Sequence, residues 1–373
     1  MRINQGCAIL LLAALILAAM IPRTLLAFKS SPASSTSGAQ DEKVEALIRA
    51  GHWKRARAIL EPQLKTHPDD PRICYLLAEV KFAFNDLDGA QALAHHAVDL
   101  DGKNSNYHLQ LGKTFGEMAA RARFLSAASL AGKFRKEVEV AIELDPKNLD
   151  ALDAMMQFKY QAPGIMGGSK DEANSLADKI TQLNATEGYL SHAELAGLEK
   201  NPARVEGYLL KAVHANPRNY DARAELAKFY SRSHKYEEAG KQAQYALQID
   251  PRRIEAYWIL ARIFAFQQQW GNLQQILSAS EKSVPDDLRA FYEAGESLVK
   301  LGKELPRAEG YAKKYLSQEP EGEEPDAADA HRLMGTVLEK ERRSDEARVE
   351  FKTAMILRPK FKGAKEDLKR LEH

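Results

Sequence analysis

Residues 236–251 read Tyr-Glu-Glu-Ala-Gly-Lys-Gln-Ala-Gln-Tyr-Ala-Leu-Gln-Ile-Asp-Pro. Ala239, Ala243, Ala246 and Leu247 recur at helical spacing, and Asp250-Pro251 closes the run. A stripe of small residues lets a second helix approach closely, and the proline ends one helix before the next pair begins. The stretch keeps a beat with its neighbours. Pro217, Pro251 and Pro285 fall at intervals of 34 residues; Ala212, Ala246 and Ser280 stand five before each, and Leu226 and Leu260 nine after the first two. A period of that length marks stacked helical hairpins.

The unit resembles the tetratricopeptide repeat, whose pattern is a Leu-Gly or Leu-Ala pair in the first helix, an Ala early in the second, a large apolar residue, another Ala, then Asp-Pro. Leu226-Ala227, Ala239, Ala246 and Asp250-Pro251 match in one unit; Leu77-Ala78, Ala90, Ala97 and Asp101 match in another, with Gly102 in place of proline. Leu111-Gly112 with Ala141, Asp145 and Pro146, and Met334-Gly335 with Ala347, Phe351, Ala354 and Pro359, supply two more. The resemblance implies an all-α fold, a right-handed superhelical solenoid of stacked antiparallel helix pairs. It says little about function, since this fold is a generic protein-binding scaffold.

A chain of 373 residues would suggest two or three globular domains, but a solenoid grows by adding units and needs no single large core. The pulse predicts about nine hairpins over 41–361, ending near Pro68, Gly102, Pro146, Ala185, Pro217, Pro251, Pro285, Pro320 and Pro359. Residues 362–373, with Leu368 and Leu371 among charges, read as a C-terminal capping helix.

The amino terminus has a different composition. Arg2 precedes an apolar run from Cys7 to Ile21, followed by Pro22-Arg23 and the Ser-rich stretch Ser30 to Gly38. Residues 1–28 are expected to be a signal peptide or signal anchor, and 29–40 a flexible linker. Leu25, Leu26 and Phe28 extend the run toward the ~20 residues a membrane span needs if Arg23 snorkels, so cleavage and anchoring both stay open. Either places the protein outside the cytoplasm: periplasmic, secreted, or anchored in the inner membrane facing the periplasm.

The 53 basic and 52 acidic side chains nearly cancel, so no net field draws in nucleic acid. Cys7 lies in the export segment and Cys74 on the packed face of a first helix, reading as a small buried apolar residue. The adjacent His95 and His96 point to different faces of a helix and lack the spacing of a helical zinc site, so no metal is expected. No nucleophile elbow, phosphate loop or nucleotide fingerprint is present. The stretch Gly164 to Lys170 lacks phosphate-loop spacing and follows a helix instead of a strand. The expectation is a protein without a cofactor and without catalysis.

Two hairpins are longer than the pulse allows. One carries about ten extra residues near 116–135, a segment that lengthens or breaks a helix; the next has about five near 163–172, between Tyr160-Gln161-Ala162 and Asp171-Glu172-Ala173. Both lie between the helices of their hairpins, so stacking sets them on one edge. The pair, Phe124-Leu125-Ser126-Ala127 with Ala162-Pro163-Gly164-Ile165-Met166-Gly167-Gly168, resembles a feature of a group of bacterial exported tetratricopeptide proteins. Pro163, Gly167 and Gly168 turn the chain while Ile165 and Met166 plug against Phe124; alternatively this edge is a partner-specific ridge.

The repeat resemblance also implies a groove, lined two residues before and after the Leu of each first helix and again one turn later. Carried over, this gives Tyr75, Glu79 and Phe82; Leu109 and Lys113; Asp153, Gln157 and Tyr160; Ala224 and Lys228; Trp258, Arg262 and Phe266; Tyr292 and Glu296. Aromatics and arginine are frequent interface anchors, which singles out Tyr75 with Phe82, and Trp258 with Arg262, Phe266 and Tyr292; each could equally fill space against a neighbouring helix. The Lys-then-Asn pairs with which family members clamp a chaperone's tail are absent, since the positions read Tyr75/Glu79, Leu109/Lys113 and Ala224/Lys228. The expected function is a non-catalytic scaffold binding a protein or peptide in the bacterial cell envelope. The alternatives are a homo-oligomer stacked through its terminal hairpins, and an enzyme at the insertion edge with Lys133, Lys170 and a carboxylate.

Overall fold

The structure is a computed structural model that describes residues 37–322 and 325–371, with the side chains of 37–42 and 124 outside that description. The expected signal segment, 1–28, and most of the expected linker therefore lie outside the described residues. The linker's last four residues do not: Ser37 already opens a helix, whose Val44 and Ile48 are buried and hold it in place.

Among the described residues the fold is all-helical, with nineteen α-helices in antiparallel pairs. They are α1 (Ser37–Arg49) with α2 (Trp53–Thr66), α3 (Pro71–Ala83) with α4 (Leu87–Leu100), α5 (Ser105–Arg121) with α6 (Phe124–Leu144), α7 (Leu149–Gln161) with α8 (Lys170–Leu183), and α9 (Ala185–Leu198) with α10 (Pro202–Ala215). There follow α11 (Tyr220–Arg232) with α12 (Tyr236–Ile249), α13 (Ile254–Phe266) with α14 (Trp270–Ser283), α15 (Arg289–Leu301) with α16 (Leu305–Tyr315), and α17 (Ala327–Lys340) with α18 (Ser344–Leu357); α19 (Lys362–Arg370) is unpaired. The described residues divide into two compact units, one of residues 37–49 and 55–217, the other of 50–54, 218–322 and 325–371.

The same local devices recur from pair to pair. Several first helices open on an Asn or Asp cap: Asp70 accepts from the amides of Arg72 and Ile73, Asn148 from Ala151, Asn219 from Ala222, and Asp326 forms a reciprocal capping box with Asp329, whereas α13 and α15 start at Arg253 and Leu288 without a side-chain cap. Second helices carry the small-residue seam. Ala90, Ala94 and Ala97 in α4, Ala239, Ala243 and Ala246 in α12, and Ala347 and Ala354 in α18 are all fully buried, which brings the first helix within side-chain reach of the second. Most turns between paired helices use a residue at positive φ, the α5–α6 turn at Ala122 and Arg123 excepted. Asn85, Lys200, His234, Gln268, Glu304 and Arg342 take that conformation, and Gly51, Gly167 and Gly302 do so without a Cβ to crowd.

The long hairpin has no loop. Its extra residues continue as helix, giving α5 17 residues and α6 21 where α3 and α4 have 13 and 14. Phe115, Phe134, Val138, Met155 and Phe158 form one buried cluster across α5, α6 and α7, with Leu130 and Met166 packed on it. In the second unit, successive first helices α11, α13, α15 and α17 touch one another and make a continuous wall.

Candidate partner-binding wall

Four polar groups of this wall come from one repeated position: Asp221, Glu255, Arg289 and Asp329 each stand five residues before the Leu of the first-helix pair or its equivalent, one helical turn from the aromatic position. Because first helices lie side by side, these residues meet. In the second unit Arg253 Nη2 is 2.8 Å from Asp221 Oδ1 and 3.6 Å from Glu255 Oε1, all nearly sealed from solvent, and its guanidinium lies 3.9 Å from the Tyr220 ring centroid. Burial pushes the Glu255 carboxyl up, but Arg253, Lys228 and Arg289 outweigh it and hold it below its ordinary value. Asp221 goes the other way, because burial outweighs its pairing with Arg253.

One turn along the same wall, Trp258 and Tyr292 line a cavity of about 370 Å³ with Arg289, Glu293, Pro325, Asp329 and Arg358. Its two arginines are already paired: Arg289 with Asp287 at 2.6 Å, and Arg358 with both Asp326 and Asp329 at 2.7 Å. Glu293 is different. Its Oε2 is buried without a hydrogen-bond partner; burial first, then Glu296, raises the carboxyl to about 7 against the pull of Arg262, Lys300 and Arg289. Tyr292 is braced from behind by Tyr315, ring centroids 5.3 Å apart.

Of the residues expected in the groove, the structure brings Trp258 and Tyr292 together at this cavity. Lys228 Nζ stands 6.0 Å from the Trp258 centroid and pairs with Glu225. Arg262 and Phe266 point elsewhere: the guanidinium lies 5.9 Å from the Phe266 centroid, and that ring stacks at 5.7 Å on Tyr236 of α12. Glu296 is tied to Lys300 at 2.7 Å. In the first unit the expected exposed positions are largely packed. Tyr75 is 6 % exposed, its ring 5.2 Å from Tyr107, and Leu109 is 4 % exposed; Ala224 of the second unit is also buried. The reason is geometric: two before the Leu faces the next first helix, so the position opens to solvent only where a cavity interrupts the packing. Phe82 is half-buried.

Glu79, Lys113 and Asp150 form a second polar cluster across α3, α5 and α7. Burial raises Glu79 to about 7 and Asp150 to about 6, and Lys113 opposes both. Asp153 accepts from Gln157 Nε2 at 2.9 Å and from Ser191 Oγ at 2.6 Å.

At the insertion edge, Gly164 to Met166 form a single 3-10 turn closed by Gly167 at φ 95°. A Cβ on Gly168 would stand 1.8 Å from the Ala162 carbonyl oxygen, so the chain crosses itself there as only glycine allows. Met166 packs inward on the α5–α7 cluster, but Ile165 does not plug anything: it is 92 % exposed, as is Leu125 at 82 %. Pro163 is half-buried. Phe124 opens α6, its side chain outside the described residues. Lys133 and Lys170 lie over the rings of Phe115 at 5.2 Å and Tyr160 at 5.0 Å. The carboxylates raised to 6 or 7 are all elsewhere.

His95 pairs with Asp99 at 2.9 Å and His96 with Asp69 at 3.1 Å, each separately. Among the described residues no cluster of His, Cys, Asp or Glu could hold a metal ion, and no helix is long and apolar enough to cross a membrane.

Family models described as tetratricopeptide repeat match residues 47–112 and 292–359. Both stretches are tetratricopeptide repeats. The second runs from within α15 through α18, and so holds five of the cavity's seven lining residues inside recognisable repeats. No curated protein sequence matches the chain. Solved structures similar to it include yeast Tom70, 12% identical over 90% of this chain and 88% of that one, TM-score 0.49. A tetratricopeptide repeat protein from Parabacteroides merdae is 15% identical over 72% and 99%, TM-score 0.47, and Pseudomonas aeruginosa pilF is 15% identical over 62% and 97%, TM-score 0.36.

Arg289, Glu293, Asp329 and Arg358 are absent from the residues expected of the site. The position five before the Leu was legible as a repeated charge, but the repeat pattern directs attention to the positions flanking the Leu. Glu293, one before its Ala294, carries no such signal at all.

Proposed function

We propose that the chain is a non-catalytic repeat scaffold that holds a protein or peptide partner against the first-helix wall of its second unit. The observation that supports this best is the cavity between Trp258 and Tyr292, an aromatic-sided recess edged by ionised groups and mounted on packed helices. A wall already ordered by its own helix pairs loses little conformational freedom on binding, which leaves more of the contact energy for affinity. Trp258→Ala with Arg262→Ala removes one aromatic side of the cavity and the guanidinium that follows it one turn along α13. Partner capture is expected to fall at least tenfold with helicity and melting unchanged; equal capture by the double variant would remove this wall from consideration.

The apolar run of residues 7–21 supports export to the cell envelope, as a periplasmic, secreted or inner-membrane-anchored protein. Amino-terminal sequencing of the mature product tests it: a start near residue 28 or an intact anchored terminus fits, and an intact terminus in the cytosolic fraction does not. A second reading, self-association through the terminal pairs, has one observation behind it. Val349 and Ile356, seven residues apart on α18, are 62 % and 78 % exposed. A mass in solution that rises with concentration, and falls with Val349→Lys, would favour that reading.

A further inference from the structure

We propose that the cavity between Trp258 and Tyr292 receives a basic side chain, the guanidinium or ammonium group of an Arg or Lys in the partner, with Glu293 as its acceptor. The inference deepens the scaffold reading and rests on it for the source of that side chain.

Charge decides the sign of the occupant. Arg289 and Arg358 are each held by aspartates: Asp287 for the first, Asp326 and Asp329 for the second. Three carboxylates thus already answer two guanidinium groups. An anion would have to displace those pairs, whereas a cation has an acceptor waiting. Glu293 is part of the cavity lining, its Oε2 is buried without a hydrogen-bond partner, and a buried acceptor without a donor is unusual enough to call for one. Trp258 and Tyr292 bring two aromatic rings to the lining, and such rings attract a cation through their quadrupole and shelter the apolar stem that carries it. A volume of about 370 Å³ sits at the small end of ligand pockets, roughly 300–1,000 Å³, and suits one long side chain instead of a whole folded element.

The neighbouring charges leave the recess unfilled. On α15, Glu296 is engaged by Lys300 at 2.7 Å; on α13, Arg262 stands by Phe266 and opposes the rise of Glu293 without a hydrogen bond to it. Lys228 of α11 is 6.0 Å from the Trp258 centroid and tied to Glu225. From α17 the cavity meets Asp329, already shared with Arg358. A bound cation stabilises the ionised form of Glu293, whose carboxyl is otherwise raised to about 7. Binding therefore releases a proton below that pH, and affinity rises by about tenfold from pH 6 to pH 8.

The test uses the full chain and three probes, the N-acetyl methylamides of arginine, lysine and glutamate, followed through the Trp258 indole N–H signal, which Trp258→Phe assigns. The arginine and lysine amides are expected to shift that signal at millimolar concentration, about tenfold more tightly at pH 8 than at pH 6, while the glutamate amide does not. The isosteric Glu293→Gln is expected to bind at least tenfold more weakly with a flat pH profile and unchanged helicity. Preference for the glutamate amide, no response to arginine at tens of millimolar, or wild-type binding by Glu293→Gln would each overturn the proposal. If wild type captures a protein partner yet ignores the arginine amide, the scaffold stands and this inference falls; if the amide binds and no partner is captured, the reverse holds.

Discussion

Phe351 lays its ring against the backbone of Gly335: a Cβ built on Gly335 would stand 2.6 Å from Phe351 Cε1. The ring is fully buried and has nowhere to move. This contact sets the spacing of α17 and α18, and the equivalent one, Gly112 against Val138 at 2.9 Å, does the same for α5 and α6. Gly335→Ala is expected to cost about 1–3 kcal/mol in urea unfolding, since overpacking a filled core forces the partner off its rotamer. Adding Phe351→Leu should return part of that loss; two independent, additive losses would contradict the contact's role.

Buried charge gives a second test. The Arg253 and Asp221 side chains are 12% and 17% exposed and 2.8 Å apart. Asp221→Asn leaves the guanidinium sealed with Glu255 as its remaining partner, at an expected cost of about 2–4 kcal/mol. Replacing both, as Arg253→Met with Asp221→Leu, should recover most of the stability, because no uncompensated charge is then left inside. A double variant less stable than the single one would show that the pair contributes more than it costs to bury.

Glu79 ties stability to pH. Its carboxyl, near 4.5 when unburied, is raised to about 7 by burial, against the pull of Lys113. The folded chain thus binds this proton more tightly than the unfolded one, so its contribution is full below about pH 4.5 and is lost as pH rises through 7. Glu79→Gln should flatten that slope, adding about 1–3 kcal/mol at pH 8 and almost nothing at pH 4. An unchanged slope in the pH dependence of the urea midpoint would contradict the assignment.

Lys200 turns the chain between α9 and α10 at φ 56° and is exposed. Lys200→Gly is expected to stabilise by about 0.5–1 kcal/mol, as the crowding of a left-handed Cβ outweighs glycine's extra freedom when unfolded. Lys200→Val should lose at least as much. Both are read from thermal midpoints.

The helix pairs were legible in the sequence because several repeat the same few residues: the Ala239, Ala243 and Ala246 seam and the Asp250-Pro251 stop are local signals with local causes. The cavity was legible only in part. Trp258 and Tyr292 sit at the position the repeat pattern marks, but that same position is buried at Tyr75 and Leu109, since exposure depends on how closely two first helices pack. Arg358 reaches the site from beyond the end of α18, and Glu293 owes its state to burial by neighbours distant in the chain. Ile165 misled for a related reason: apolar character predicted a plug, but on the short 3-10 turn Gly164–Met166 it is Met166 that packs inward while Ile165 stays exposed.

The most direct measurement is crosslinking in the native cell from a photoreactive residue at position 258, with one at exposed Lys241 on the opposite helix layer as control. The account predicts a discrete polypeptide captured from position 258 and not from 241, lost when Glu293→Gln is added and contacting the site through a basic residue. The same products from both positions, or none from 258 while the protein is folded and present, would contradict it.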